Sequence, residues 1–344
     1  MTKFTTFSRG LAASAVVAIL GTAAMAQEVT LKLHQFLPAQ ASVPKHVLDV
    51  WADKVEADSK GRIKIERYPS MQLGGRPPEL VDQVIDGIAD IIWTLPGYTP
   101  GRFPSTEVFE LPFMMTNAEA TSRAYWDLAE KHFMDTDFAD FKMLGLWVHG
   151  PGVIHSTDPV TTPADLNGVK LRAPTRMTNK LFTELGATTV GMPVPAVPEA
   201  LSKGVIDATV IPWEVTSSLK VGELVHNHTE FGKDSVYTAT FIFAMNKGKY
   251  DALPDDLKKV IDDNSGADFS AFAGKVMQDY DAPARNIAMD LGNTIITLTP
   301  EQVDVWRQAS AGIEGGWIDE MSAEGMDAKA LVEEAKALIA EYTK

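Results

Sequence analysis

The chain has 344 residues, which is the length of about two ordinary domains. It contains no cysteine, which excludes disulfide bonds, a thiol nucleophile and a sulfur-based zinc site. Its 46 acidic side chains outnumber the 31 basic ones, and the net charge of −15 argues against nucleic acid as a partner. An anionic small ligand is still compatible with this charge, because one buried arginine can reverse the sign locally.

The first 26 residues have the pattern of a secretory signal peptide. Lys3 and Arg9 give a basic start, an apolar run covers 11–23, and residues 24–26 (AMA) are typical of a cleavage site. The run is shorter than the ~20 residues that a membrane-spanning helix needs. We therefore expect an exported protein whose mature chain begins near residue 27.

Strand and helix patterns alternate in the first half of the mature chain. Residues 28–36 and 62–68 alternate apolar and polar side chains, as strands do, and residues 42–59 between them have apolar positions at helical spacing. A helix over 79–88 and an apolar strand over 90–93 follow. This order predicts a parallel sheet with helices on its faces.

The second half repeats a short motif of the first. Residues 87–90 (GIAD) and 204–207 (GVID) each close a helix with glycine, continue with two apolar residues and an aspartate, and lead into an apolar strand. Each strand is expected to reach a tryptophan, Trp93 in the first half and Trp213 in the second. One such copy per half predicts a two-lobed α/β protein.

The last third has mainly helical patterns. Leu253-Pro254 is typical of a helix start, and the apolar pattern continues from there toward Leu291. That helix would be longer than one small domain needs. Further helices are predicted from Thr299 and over 327–342.

Aromatic residues are the first candidates for a binding pocket. Phe36, Trp93 and Trp213 are each expected at the end of a strand, and ligands of parallel α/β sheets bind at the carboxyl ends of strands. These rings could line an apolar pocket between the lobes. Ordinary packing in the core is the alternative.

Arg172 ends the predicted strand over 168–172 and is therefore expected near the sheet, away from bulk water. A partly buried guanidinium needs a carboxylate partner, which either the protein or a ligand can supply. Its fork can hold a carboxylate through two parallel hydrogen bonds. Arg176, one turn later, is expected to be a solvated residue at a helix start.

Catalytic and metal-binding motifs are weak. The sequence has no G-x-S-x-G elbow, P-loop or H-E-x-x-H motif. His226 and His228 are the only close histidine pair, and their spacing favours opposite directions on a strand. His149 and His155 flank Pro151-Gly152, where they could reach a cleft. Each is more simply a structural or solvated histidine.

Residues 163–174 (PADLNGVKLRAP) resemble a conserved segment of the TRAP (tripartite ATP-independent periplasmic) transporter substrate-binding proteins, the DctP-like group. The resemblance extends in the expected order over nearly the whole mature chain. It includes residues 71–74 (MQLG), 110–113 (ELPF), 185–187 (LGA), 192–193 (MP), 204–207 (GVID), Pro212 and 253–254 (LP).

The resemblance implies a two-lobed periplasmic binding protein fold of the α/β class, with hinge strands and a long hinge-spanning helix. We place the first lobe at 27–149 plus about 238–277, and the second at 150–237 plus about 278–344. Such proteins capture an organic acid between the lobes and deliver it to the small and large membrane subunits of the transporter. The family's carboxylate-binding arginine falls on Arg172, and we expect a monomer without a cofactor.

Two positions depart from many family members and indicate a less polar cleft. A second arginine of dicarboxylate and sialic-acid binders aligns with Gly152, and an asparagine aligns with Ile211. The expected ligand is therefore a monocarboxylate with an apolar, even aromatic, tail. The residues expected to line the cleft are Phe36, Trp93, His149, Gly152, Arg172, Val194, Ile211 and Trp213.

Other readings follow from the same residues. Some members hold a metal ion beside a 2-oxo acid through a carboxylate near Glu214, but here an ion pair of Glu214 with a protein cation is favoured. A dicarboxylate is the alternative ligand. A periplasmic hydrolase that uses His149 or His155 is the alternative of another class, and a receptor that signals to a sensor kinase would have the same fold.

Overall fold

The computed structural model describes residues 1–2 and 28–344. The predicted signal peptide lies outside the described residues, apart from its first two. Within the described part, no helix is both long and apolar enough to cross a membrane.

Residues 28–344 contain eleven strands and thirteen α-helices. The strands are β1 Val29–Gln35, β2 Ile63–Tyr68, β3 Ile91–Thr94, β4 Phe141–Val148, β5 Val153–Ser156, β6 Lys170–Ala173, β7 Thr188–Gly191, β8 Ala208–Ile211, β9 Asn227–Glu230, β10 Thr240–Asn246 and β11 Thr294–Thr297. The helices are α1 Asp49–Asp58, α2 Leu80–Ile85, α3 Ala118–His132, α4 Arg176–Glu184, α5 Val197–Ser202, α6 Trp213–Leu219, α7 Lys247–Asp251, α8 Asp255–Asp263, α9 Ala267–Asp279, α10 Asp281–Asp290, α11 Pro300–Ala309, α12 Gly312–Ala323 and α13 Ala328–Tyr342.

The strands form two sheets, and each sheet with its helices is one lobe. The first sheet has the order β2-β1-β3-β10-β4, and the second has the order β11-β9-β5-β8-β6-β7. In the first sheet β1 is parallel to β2 and β3, whereas β10 is antiparallel to β3 and β4. The two-lobed α/β prediction is confirmed, and the exact lobe boundaries stay a prediction.

The lobes are joined by two strand-to-strand crossings. Residues 149–152 lead from β4 to β5, and residues 231–239 lead from β9 to β10. The crossings are bonded to each other, because Gly152 N donates to the carbonyl of Tyr237 at 3.1 Å. These are the predicted hinge strands.

The hinge-spanning helix is shorter and more broken than the apolar pattern predicts. α8 ends at Asp263, and Gly266, whose φ of +99° is a value that glycine adopts freely, is the N-cap of α9. Tyr280 then separates α9 from α10. α9 packs on α3 and β4 of the first lobe, and α10 packs on α6 of the second, so the pair spans the hinge.

The end of the chain returns to the first lobe. α13 packs on α3, and Glu334 of α13 forms ion pairs with Lys131 and His132 at the end of α3. The sequence assigns residues 278–344 to the second lobe. The last helix of this segment, however, packs against the first lobe.

The repeated motif has the same structure in both lobes. Gly87 has φ +73° and Gly204 has φ +65°, so both caps need the left-handed backbone that glycine adopts freely. The carboxylate of Asp90 accepts a hydrogen bond from Lys32 N at 2.8 Å, and that of Asp207 accepts one from Lys170 N at 3.0 Å. Each aspartate therefore binds the backbone of the neighbouring parallel strand. The sequence predicts only that it holds the local turn.

The strand in front of Trp213 ends earlier than predicted. β8 stops at Ile211, Pro212 is the N-cap of α6, and Trp213 is the first helical residue. Proline cannot donate to a sheet ladder, so the strand ends before it. Trp93, in contrast, lies inside β3, so in the first half the strand does reach its tryptophan as predicted.

We predict that Asp90→Ala and Asp207→Ala each lower the free energy of unfolding by about 1–3 kcal/mol, because each leaves a strand N–H without its charged acceptor. Urea denaturation measures this loss. Asp158→Ala, at an exposed position, is the matched control and should stay within about 0.5 kcal/mol of wild type. Equal stability of all three variants would contradict the proposed role of the repeat.

Candidate functional site

A cavity lies between the two lobes, at the carboxyl ends of the parallel strands. About 400 Å³ of space between the lining atoms is not filled by the protein, and part of this space is open to solvent. The lining residues come from both lobes and from the crossings: Phe36, Leu37, Trp93, Leu95, Tyr98, His149, Arg172, Pro174, Val194, Ile211, Pro212, Glu214, Val215, Tyr237, Ala239, Phe241 and Met277. Six of the eight predicted site residues are among them.

Among residues 28–344, Arg172 is the only arginine or lysine that lines this cavity, and it is 1% exposed. Its Nε donates to the Met192 carbonyl at 2.9 Å and its Nη1 to the Val210 carbonyl at 3.2 Å. Burial lowers its pKa, and the hydroxyls of Tyr98 and Tyr237 are the ionisable groups that act on it in the opposite direction. No carboxylate of residues 28–344 forms an ion pair with it, so its charge is held by neutral oxygens alone.

Two tyrosines lie close enough to this guanidinium to act on its pKa: Tyr98, which follows β3 of the first lobe, and Tyr237, which lies in the crossing from β9 to β10. The Tyr98 hydroxyl accepts a hydrogen bond from Val194 N at 2.9 Å, which connects the first lobe to the second. The Tyr237 hydroxyl is buried and has no hydrogen-bond partner in the described part of the chain. Burial raises the pKa of both phenols, so both remain protonated and can donate.

Gly152 does not line the cavity, which corrects the prediction for this residue. A Cβ atom there would lie 2.1 Å from Cε1 of Tyr237, so any larger side chain would collide with that ring. The space that a second arginine occupies in many relatives is thus taken by Tyr237. The sequence predicts fewer polar contacts to the ligand here, because Gly152 has no side chain. The hydroxyl of Tyr237, which lines the cavity, replaces part of them.

The rest of the wall is aromatic and aliphatic. Phe36 stacks on Trp93 with ring centroids 4.6 Å apart, and Trp93 stacks on Phe241 at 5.3 Å. Ile211 and Val194 add aliphatic surface from the second lobe. The predicted shift toward an apolar cleft agrees with this lining.

Glu214 lines the cavity, and no arginine, lysine or histidine of residues 28–344 forms the predicted ion pair with it, which corrects that prediction. Its side chain is 2% exposed and accepts a hydrogen bond from the Ser42 hydroxyl of the first lobe. Burial, assisted by the nearby charge of Asp281, raises its pKa well above the ordinary value. Among the described residues, no group of three or more histidines and acids is placed to hold a metal ion.

His149 is part of the cavity wall, with both ring nitrogens used by the backbone. Its Nε2 accepts from Ala239 N at 3.0 Å, so Nδ1 carries the proton and donates to the Gly150 carbonyl. Burial lowers its pKa to about 4, and the charge of Arg172 adds to this effect. It is a neutral hinge residue without a nitrogen free for proton transfer.

His155 does not line the cavity and belongs to a buried hydrogen-bond chain. Its Nδ1 lies 2.7 Å from Nδ1 of His228, and its Nε2 lies 3.3 Å from the Ile211 carbonyl. Asn293 Nδ2 completes the chain at 3.0 Å from His228 Nε2. Donors and acceptors match when both rings are neutral, and burial lowers both pKa values. These contacts leave the hydrolase alternative without an available base.

Trp213 lies outside the cavity, which corrects a second predicted site residue. Its ring packs against both histidines of this hydrogen-bond chain, with centroids 5.0 Å from His155 and 4.9 Å from His228, and its Nε1 donates to Glu230 at 2.8 Å. Because it begins α6 instead of ending β8, its side chain faces a separate small cluster with Val153. Glu214, one residue later, faces the cavity in its place.

Arg176 bridges the lobes and is not the solvated residue that the sequence suggests. Its Nε donates to Glu107 at 2.8 Å, its Nη2 contacts the other oxygen of the same carboxylate, and it also pairs with Glu320. Glu107 belongs to the first lobe, whereas Arg176 begins α4 of the second. The bidentate pair holds the lobes together in this closed form.

The lobes also approach each other closely at Gly97. A Cβ atom at this position would lie 2.4 Å from Cγ2 and 2.7 Å from Cβ of Thr175, the N-cap residue of α4. Its neighbour Tyr98 reaches Val194 from the same turn. Closure therefore depends on the missing side chain at residue 97.

Tyr98, Tyr237 and Phe241 are the aromatic lining residues that sequence reasoning missed. Tyr98 follows a Pro-Gly turn after β3, which is a usable signal for a residue at a strand end. Tyr237 lies in a crossing without regular structure, and its neighbour Gly152 is 85 positions away, so no local pattern reveals it.

Comparison with known proteins agrees with this architecture. Residues 34–313 match the family model of the bacterial extracellular solute-binding proteins, family 7 (DctP). The chain belongs to this family. It is a TRAP solute-binding protein, as the resemblance of residues 163–174 predicts.

Solved structures of other solute-binding proteins are similar over nearly the whole chain. One, from Rhodoferax ferrireducens in complex with copurified benzoate, is 50% identical, has a TM-score of 0.90, and covers 91% of this chain and 98% of its own. Another, a marine metagenome protein specific for aromatic acid ligands, in complex with 3-hydroxybenzoate, is 48% identical with a TM-score of 0.90 and covers 93% and 100%. Among curated proteins, the outer membrane transporter protein TsaT of Comamonas testosteroni is 26% identical and covers 93% of this chain and 95% of itself.

We predict that Gly97→Ala weakens ligand binding by about tenfold or more while the ligand-free protein melts at an unchanged temperature. The added methyl group opposes closure at an overpacking cost of about 1–3 kcal/mol, but the open form avoids the clash. Calorimetry measures the affinity, and Gly315→Ala, a helical position with nothing within 4 Å, is the control. Unchanged affinity in Gly97→Ala would refute the closure contact.

Proposed function

We propose that this protein captures an organic acid with one carboxylate and an aromatic ring, and delivers it in the periplasm to the membrane subunits of a TRAP transporter. The observation that carries this proposal is Arg172, a buried cation in an interlobe cavity without a carboxylate partner in residues 28–344. A ligand carboxylate supplies the missing charge.

The neighbours of Arg172 support a carboxylate at this end of the cavity. The hydroxyls of Tyr98 and Tyr237 are protonated and lie close enough to Arg172 to act on its pKa. Together with the guanidinium they offer several donors to one carboxylate, and a charge-assisted bond of this kind contributes roughly 1.5–3 kcal/mol.

The aromatic wall supports a ring as the other end of the ligand. Phe36, Trp93 and Phe241 form a stacked row along which a further ring can pack. Apolar burial of about 25 cal/mol/Å² makes this contribution comparable to that of the carboxylate. The bound benzoate and 3-hydroxybenzoate of the two similar solved structures support the same class of ligand.

A second carboxylate would lack a partner in this cavity. Apart from Arg172, no arginine or lysine of residues 28–344 lines the cavity, and its one carboxylic acid, Glu214, offers no positive charge to a second carboxylate. The position of the second arginine of dicarboxylate binders is Gly152 beside Tyr237, and that of the asparagine is Ile211. The cavity therefore favours monocarboxylates over four-carbon dicarboxylates.

Ligand binding drives closure, because the ligand contacts both lobes only when they are together. Arg172 belongs to the second lobe, and the aromatic row belongs to the first. A ligand with this differential affinity shifts the population toward the closed form, and the transporter subunits then bind the closed surface.

We predict that benzoate-like acids raise the melting temperature more than succinate or malate at equal concentration. Binding at 100 times Kd adds about 2.7 kcal/mol to the stability of the native state, and thermal-shift assays followed by calorimetry measure it. A larger shift with the dicarboxylates would refute the assignment of the ligand class. No shift with any acid would refute the carboxylate site itself.

A further inference from the structure

Two cavity-lining side chains bury a polar atom that has no partner in the described residues. They are Trp93, through its Nε1, and Tyr237, through its hydroxyl. Buried donors in native proteins are nearly always satisfied, and an orphaned one costs free energy. Because both line the cavity, a ligand atom can satisfy each of them.

Contacts between rings place the two donors at different points of one row of rings, Tyr237 at an end and Trp93 in the interior. The row of rings runs through Tyr98, Phe36, Trp93, Phe241, His149 and Tyr237, with successive centroids 5.8, 4.6, 5.3, 6.2 and 5.2 Å apart. Both ends of this row, the two tyrosines, lie beside Arg172. Trp93 is in the middle, on β3 of the first lobe, whereas Arg172 is on β6 of the second.

The two donors therefore have different ligand atoms to satisfy. The unpaired Tyr237 hydroxyl and the Arg172 guanidinium line the same cavity, so we assign this hydroxyl to the ligand carboxylate. The indole of Trp93 donates only and cannot accept, so the atom it meets must be an acceptor. The stacked neighbours Phe36 and Phe241 leave its surroundings apolar, which disfavours a second charge there.

We propose that Trp93 Nε1 donates a hydrogen bond to a neutral oxygen on the ring of the ligand, away from its carboxylate. This inference rests on the proposed function and narrows it: the preferred ligand is a ring-hydroxylated aromatic acid. A site built to hydrogen-bond a hydroxyl group rejects the analogue without it, because its own buried donor then stays unpaired.

The experiment compares acids that differ only in the ring substituent. Calorimetry gives the Kd of 3-hydroxybenzoate and 4-hydroxybenzoate against 3-methylbenzoate and 4-methylbenzoate, whose methyl groups are close to a hydroxyl in size. In wild type, at least one hydroxy acid should bind about tenfold tighter than its methyl counterpart. If both methyl acids bind as tightly as the hydroxy acids, Trp93 does not recognise the substituent, although the carboxylate site stands.

Variants assign the preference to the indole. In Trp93→Phe, the Kd values of the hydroxy acid and its methyl counterpart should become about equal. Both values are measured in the same variant, so a general loss of packing affects both and does not change their ratio. Trp51→Phe is the matched control, because Trp51 is another buried indole without an Nε1 partner but lies outside the cavity, against Phe243. It should keep the wild-type ratio.

The remaining outcomes separate the two proposals. A wild-type ratio retained in Trp93→Phe would overturn the role of Trp93 and leave the proposed function intact. If Trp93→Phe does not fold, the ratio in the wild-type protein alone decides. Failure of every acid to bind wild type would overturn the proposed function, and the inference with it.

Discussion

The structure depends on one buried positive charge that the described chain does not neutralise. Arg172 is held by two backbone carbonyls and lies beside two phenols, all uncharged. A guanidinium in such surroundings is costly until an anion arrives. Neither lobe closes the site alone, because Tyr98 reaches the second lobe from the first and Tyr237 comes from the crossing between them.

The other charges near the cavity are arranged so that they do not compete for this role. Burial raises the pKa of Glu214 well above its ordinary value, and its carboxyl accepts a hydrogen bond from Ser42. Asp281 accepts a hydrogen bond from Glu214 N, and burial raises the pKa of Asp281 to about 7. The strong ion pair between the lobes, Arg176 with Glu107, lies outside the cavity. An ion pair outside the cavity thus joins the two lobes, while the interior keeps a cation without a carboxylate partner in residues 28–344.

The fold and the anchor of the site could be predicted from sequence, because both depend on local patterns. The glycine-capped repeat at Gly87 and Gly204 and the strand that ends at Arg172 are visible in short segments. The prediction that Trp213 ends a strand is wrong, because Pro212 ends β8 and caps α6, whose first residue is Trp213. Tyr237 could not be found, since its role follows from contact with a residue far away in the chain.

The most direct test compares benzoate with benzamide, which has the same shape without the charge, in wild type and in Arg172→Met. Wild type should bind benzoate about tenfold or more tighter, and the preference should vanish in Arg172→Met, because the charge-assisted contact is gone. Arg76→Met, at an arginine with 82% side-chain exposure, should keep the preference. A benzoate Kd that is unchanged in Arg172→Met, measured by calorimetry, would contradict the account.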